Sequence, residues 1–138
     1  MIKLTRSDLV EPELSYKIVG VLYDVYNELG FGHREIVYGR ALATAFSKAG
    51  IKFSEQVACD IRFDNQIVGK HFFDFLVENR IILEIKRGDR FLKNNFNQVV
   101  SYLQTSHLPL AILANFTSNG VSFKRVLNPD NQTAIRNS

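Results

Sequence analysis

His71-Phe72-Phe73-Asp74-Phe75-Leu76-Val77, then Glu78-Asn79-Arg80, then Ile81-Ile82-Leu83-Glu84-Ile85-Lys86 reads as two apolar strands around a turn. Each strand carries charge where charge is expensive. Burying an unpaired carboxylate costs several kcal/mol or forces its neutralisation, so Asp74 and Glu84 need a reason to be there. Side chains alternate along a strand, which puts Glu84 and Lys86 on one face and Leu83 and Ile85 on the other.

The parity of the turn decides whether Asp74 joins them. If Glu78-Asn79-Arg80 is a three-residue loop, Val77 stands opposite Ile81, Leu76 opposite Ile82, Asp74 opposite Glu84 and Phe72 opposite Lys86. With a two-residue loop Asp74 would face Ile85 and the pair would dissolve. Asn79 suits the left-handed backbone that such loops use. Two facing carboxylates repel each other unless a proton or cation lies between them, and a hard divalent ion such as Mg2+ takes oxygen ligands of this kind. Lys86, one step along the same face, could orient or deprotonate an attacking water, or neutralise charge on a phosphoryl transition state.

Outward from this hairpin the chain is legible as alternating patterns. Leu14, Ile18, Val21, Leu22, Val25 and Leu29 recur at helical spacing, with Gly30 where a helix end favours glycine. After Gly30-Phe31-Gly32 a second helix carries Val37, Ala41, Leu42, Ala45, Phe46 and Ala49 on its apolar side, with Glu35 in its first turn. Ile51 to Phe63 and Ile67 to Val77 read as strands joined at Asp64-Asn65-Gln66. Phe91 to His107 reads as a helix with Phe96, Val99, Val100 and Leu103 inward, bounded by Pro109. Leu110 to Phe116 reads as a strand buried on both faces, turning at Ser118-Asn119-Gly120 into Val121 to Leu127. The order is ααβββαββ, a mixed α/β domain with a central mixed sheet flanked by helices. One domain over residues 1–138, with its core at about 14–127, is expected from the length.

The composition is that of an ordinary folded chain, with 46% hydrophobic and 22% charged residues. The net charge of +3 would suit a polyanion, and Lys70, Lys86, Arg87, Arg90 and Lys93 concentrate the basic residues near the acidic hairpin. Cys59 is the single cysteine, which rules out an intrachain disulfide or a cysteine zinc cage and points to a reducing cytoplasm. No apolar stretch approaches the roughly 18 residues of a membrane span, and Met1 to Glu11 has no signal-peptide core. His33, His71 and His107 have no zinc spacing and read as ordinary polar residues.

Asp74, nine intervening residues, then Glu84-Ile85-Lys86 at a hairpin resembles the motif of the PD-(D/E)XK nuclease superfamily, and the element order resembles its restriction-endonuclease-like core. Gly32-His33-Arg34-Glu35-Ile36-Val37-Tyr38 further resembles the Gly-x-x-Glu-x-x-Tyr motif of the GxxExxY family, a small-protein branch of that superfamily. The resemblance runs from about Leu14 to Leu127. It implies a Mg2+- or Mn2+-dependent nuclease whose metal site is made by Glu35, Asp74 and Glu84 with Ile85, and whose catalytic set is Glu35, Asp74, Glu84 and Lys86. Gln98 and Tyr102 fit the Gln-x-x-x-Tyr pattern of RecB-like nucleases and would line the nucleic-acid side with Arg87, Arg90 and Lys93. Phe73 replaces the superfamily's nominal proline before the aspartate.

Blander readings exist for each residue. Asp74, Glu84 and Lys86 could form a structural ion-pair cluster, and Glu35 could be a favourable charge at a helix start. Gln98 and Tyr102 could be a solvated helix face, and the basic run could be solvation alone. Tyr38 is expected to pack its helix against the sheet. The function expected is hydrolysis of nucleic-acid phosphodiester bonds, DNA foremost, with a second copy helping to grip a duplex. The alternative is a catalytically silent protein that keeps the fold to bind nucleic acid or a partner.

Overall fold

In the computed structural model of the protein, residues 10–88 and 93–130 are described, with the main chain only for residues 93–95. Helices α1 (Pro12–Leu29) and α2 (Glu35–Lys48) precede strands β1 (Phe53–Phe63), β2 (Gln66–Val77) and β3 (Ile81–Arg87). Helix α3 (Lys93–Ser106) then crosses to β4 (Leu110–Thr117) and β5 (Gly120–Leu127). The five strands lie in sequence order in one sheet. All neighbours are antiparallel except β3 and β4, whose parallel pairing requires a crossover, here α3.

Helices cover both faces. One core joins Leu14, Ile18, Leu22 and Val25 of α1 with Tyr38, Leu42 and Phe46 of α2 and the sheet residues Phe75, Leu83, Ile85 and Ile112. The other joins Val99, Tyr102 and Leu103 of α3 with Phe73, Ile82, Leu113 and Val126. β4 is buried from Leu110 to Phe116, as a strand covered on both sides must be. The arrangement is the mixed, helix-flanked restriction-endonuclease-like sheet. Among the described residues no helix is long and apolar enough to cross a membrane.

Two local departures from simple periodicity matter for the site. In α3 Val99 and Leu103 are inward and Val100 packs partly buried against the same core, whereas Phe96 is 41% exposed and Tyr102 is inward in addition. In α2 the buried face is Tyr38, Leu42 and Phe46, all fully buried, and Ala49 is exposed. Tyr38 lies flat against Phe116 of β4, ring centroids 4.1 Å apart and planes at 3°. It packs its helix against the sheet.

Candidate active site

The turn between β2 and β3 sets the register. Glu78 (φ 52) and Asn79 (φ 56) are both left-handed, and the Arg80 N–H donates to the Val77 carbonyl at 3.0 Å. Val77 pairs with Ile81, Leu76 with Ile82 and Phe75 with Leu83. There the ladder ends. The next rung is replaced by a crossed pair of bonds: the Asp74 N–H donates to Glu84 Oε1 at 2.8 Å, and the Ile85 N–H donates to Asp74 Oδ2 at 2.8 Å. Each carboxylate accepts from a main-chain N–H of the opposite strand at the point where backbone pairing stops. Past this point β2 pairs only with β1, so Phe72 faces Ala58 and Lys86 faces Asn115 of β4, rather than facing each other as unbroken pairing would require.

A kink accompanies the opening. Gln56 of β1 has φ 49 and falls, with Asp74, between the paired positions Glu55↔Phe75 and Val57↔Phe73. On either side of it the strands present opposite faces: Phe53 and Phe75 pack with α1 and α2, while Val57 and Phe73 pack with α3. Gln56 and Asp74 line the same cleft, and the Gln56 amide counters part of the upward shift of the Asp74 carboxyl.

The electrostatics follow from burial. Glu84 is only 6% exposed, and desolvation first, then repulsion by Asp74, pushes its carboxyl up to about 7. The Asp74 N–H and the charges of Lys86 counter part of this, while Glu35 adds to it. Asp74 is likewise raised by desolvation, opposed by the Ile85 N–H, Lys86 and Gln56. A cation near the pair is therefore favourable, and Lys86 already supplies one charge.

Glu35, in the first turn of α2, is exposed and shares a cleft with Gly39, Arg40, Gln56, Asp74 and Ile85. Its loop is fixed from three sides. The Tyr38 hydroxyl donates to the Gly30 carbonyl at 2.6 Å, His33 Nε2 lies 2.9 Å from the Leu29 carbonyl, and Arg87 Nη1 donates to the His33 carbonyl at 3.3 Å. Gly32, with φ 108, takes a backbone conformation that glycine adopts without strain. The spacing of Gly32, Glu35 and Tyr38 is thus a tight loop, a helix start and its anchor.

The remaining expected positions that are described differ in exposure. Gln98 is exposed, but Tyr102, four residues on, is buried at 4% exposure, so the two do not share a solvent face. Arg87 is exposed. Arg90 lies outside the described residues, as do Phe91 at the expected helix start and the polar tail beyond Asp130; of Lys93 the main chain alone is described.

His71 is a residue that sequence reasoning passed over. Its Nε2 lies 3.7 Å from Glu84 Oε2, and its ring stacks on Tyr102 at 4.4 Å. Strict alternation from Asp74 sends His71 to the opposite face from Glu84; the kink at Asp74 brings it back. Among the described residues no three His, Cys, Asp or Glu side chains converge closely enough to ligate an ion together. The donor chemistry nevertheless fits a divalent cation, since a buried carboxylate and a half-buried one that repel each other are what such an ion resolves.

A profile of the PD-(D/E)XK nuclease superfamily matches residues 12–126. The chain belongs to that superfamily. The crystal structure of SSO0001 resembles this PD-(D/E)XK protein with a TM-score of 0.54 at 18% identity, covering 95% of this chain and 64% of that one. At such identity the likeness shows the fold alone, and the chain spans just under two thirds of SSO0001. No curated protein matches the sequence.

Proposed function

We propose that this PD-(D/E)XK protein is a metal-dependent nuclease acting on nucleic-acid phosphodiester bonds, DNA foremost, and that its GxxExxY-like loop makes it a member of that branch. The observation that carries the reading is the crossed carboxylate pair at the point where β2 and β3 part. A structural ion-pair network has no need to hold two carboxylates against each other where burial raises both. Asp74 and Glu84 would hold Mg2+ or Mn2+, with Glu35 and the main chain of Ile85 completing the set. When bound, such an ion supplies water activation and neutralises phosphate charge.

The chain's own groups do the rest. Asp74 and Glu84 are positioned by main-chain N–H groups rather than by mobile side chains, so their outer oxygens need little reorganisation. Lys86 places its ammonium charge where it acts on Asp74, Glu84 and His71 alike, suited to a proton-carrying or charge-stabilising role toward the phosphate. Arg87, Arg90, Lys93 and Gln98 are read as backbone-phosphate contacts around the single nuclease domain, and a second copy would widen the grip on a duplex. Buried, unbridged Cys59 suits a reducing, cytoplasmic setting.

The test is a cleavage panel on labelled single- and double-stranded DNA and RNA with Mg2+ and with Mn2+. Metal-dependent cleavage of at least one substrate is expected. Lys86→Ala should nearly eliminate turnover while changing substrate affinity much less, because interactions made chiefly in the transition state are lost from the rate. Wild-type cleavage by Lys86→Ala, or folded protein that cuts nothing with either ion, would sink the assignment.

A further inference from the structure

On the α3 side of the sheet, two polar atoms are buried without a hydrogen-bond partner on two stacked rings: His71 Nε2 and the Tyr102 hydroxyl. Buried polar atoms are normally satisfied, and an orphan needs a ligand, ion or water to explain it. The imidazole is held rigidly. It stacks on Tyr102 with centroids 4.4 Å apart and planes at 22°, and meets the edge of Phe73 at 6.1 Å. Phe73 in turn packs on Tyr102 at 4.6 Å. This aromatic clamp points to one distance: His71 Nε2 stands 3.7 Å from Glu84 Oε2. That is longer than a good hydrogen bond. It is close to the roughly 3 to 3.5 Å between two donors that each lie about 2.1 Å from one shared ion.

We propose that His71 is a metal-ligating residue, whose Nε2 joins Glu84 Oε2 in a nitrogen and oxygen donor pair that makes the site favour Mn2+ over Mg2+. The inference rests on the metal-dependent reading above and deepens it. Imidazole suits transition metals, whereas Mg2+ keeps oxygen ligands and water. An all-carboxylate site would have no reason to make that distinction beyond intrinsic affinity. Nitrogen ligation by His71 would also explain why a histidine in β2 is gripped between aromatic rings instead of extending into solvent, as a solubilising residue on a strand would. Tyr102, four residues beyond Gln98 on α3, then serves as the platform that aims the imidazole.

The experiment is metal titration of the full-length protein by calorimetry, with electron spin echo spectroscopy of the Mn2+ form to detect coupling to imidazole nitrogen. The proteins are wild type, His71→Phe, His71→Gln and Asp74→Asn. His71→Phe keeps an aromatic ring for the stack and removes both nitrogens, so it should fold, which circular dichroism would verify. Expected are an imidazole nitrogen coupling in wild type and its loss in His71→Phe. Mn2+ affinity should fall at least about tenfold, with Mg2+ affinity changed less than about threefold. His71→Gln should not restore the Mn2+ affinity. If it does, His71 is a hydrogen-bonding positioner of Glu84 and the inference is overturned. If wild type binds Mn2+ with no nitrogen coupling while Asp74→Asn abolishes binding, the inference alone fails and the carboxylate site stands. If wild type binds neither ion, both fail.

Discussion

Glu84 is asked to be ionised in a place that disfavours ionisation. Its carboxyl, ordinarily near 4.5, is pushed up to about 7 by burial and by Asp74, so the folded protein binds a proton there that the unfolded chain releases earlier. For a raised acid, stability is greatest below the unfolded value and falls as pH rises through the folded one. The metal-free protein should therefore lose stability between about pH 4.5 and 7, on the order of 3 kcal/mol at 1.36 kcal/mol per unit, shared with Asp74 because the pair titrates together. Chemical denaturation across that range checks it, and Glu84→Gln should flatten the curve. A metal-free protein whose stability rises with pH there would contradict the electrostatic account. The same repulsion makes Asp74→Asn informative. Its amide oxygen can still accept from the Ile85 N–H while the charge is gone, so metal-free Tm should be unchanged or higher and the stabilisation by added metal lost. A large drop in metal-free Tm would favour a purely structural ion-pair cluster.

At the scale of elements, the loop between α1 and α2 is held more by one ring than by its own sequence. Tyr38 is fully buried, stacks on Phe116 and closes the loop through its hydroxyl on the Gly30 carbonyl. Tyr38→Phe keeps the stack and deletes that bond, so a loss of about 1 kcal/mol is expected in denaturant titration. A loss beyond about 3 kcal/mol would mean that the hydroxyl does more than close the loop. The end of α3 is held in the same manner from outside. Buried Asn128 donates through Nδ2 to the carbonyls of Leu103 and Leu108 at 2.8 and 2.9 Å, while its Oδ1 accepts from the Asp130 N–H. These two clamps fix the helices that carry Glu35 and Tyr102.

Across the whole molecule, the net charge of +3 is too small to decide a partner, but its distribution is uneven. In the sequence, Arg87, Arg90 and Lys93 follow directly on Glu84-Ile85-Lys86. If Arg90 and Lys93 hold phosphates, Arg90→Ala and Lys93→Ala should each weaken binding to every sequence alike. Each should also reduce the slope of log K against log salt by about one unit, measured by fluorescence anisotropy. Unchanged slopes would remove both residues from the interface.

Much of the fold was legible because its signals are local. Helical spacing from Leu14 to Leu29, the apolar run from Leu110 to Phe116 and the turn at Glu78-Asn79-Arg80 each depend on a few consecutive residues, and turn parity fixes which side chains can meet across β2 and β3. The carboxylate pair is a product of that parity. What the tertiary structure alone decided lies where periodicity breaks. The left-handed Gln56 reverses the faces of two strands at once and carries His71 to the side of Glu84, and Tyr102 turns inward to receive it. No rule of alternation contains that kink, because its setting is non-local: the ladder between β2 and β3 ends where the Asp74 and Glu84 carboxylates accept from main-chain N–H groups of the opposite strand, and only the packed sheet with α3 against it brings those groups within reach.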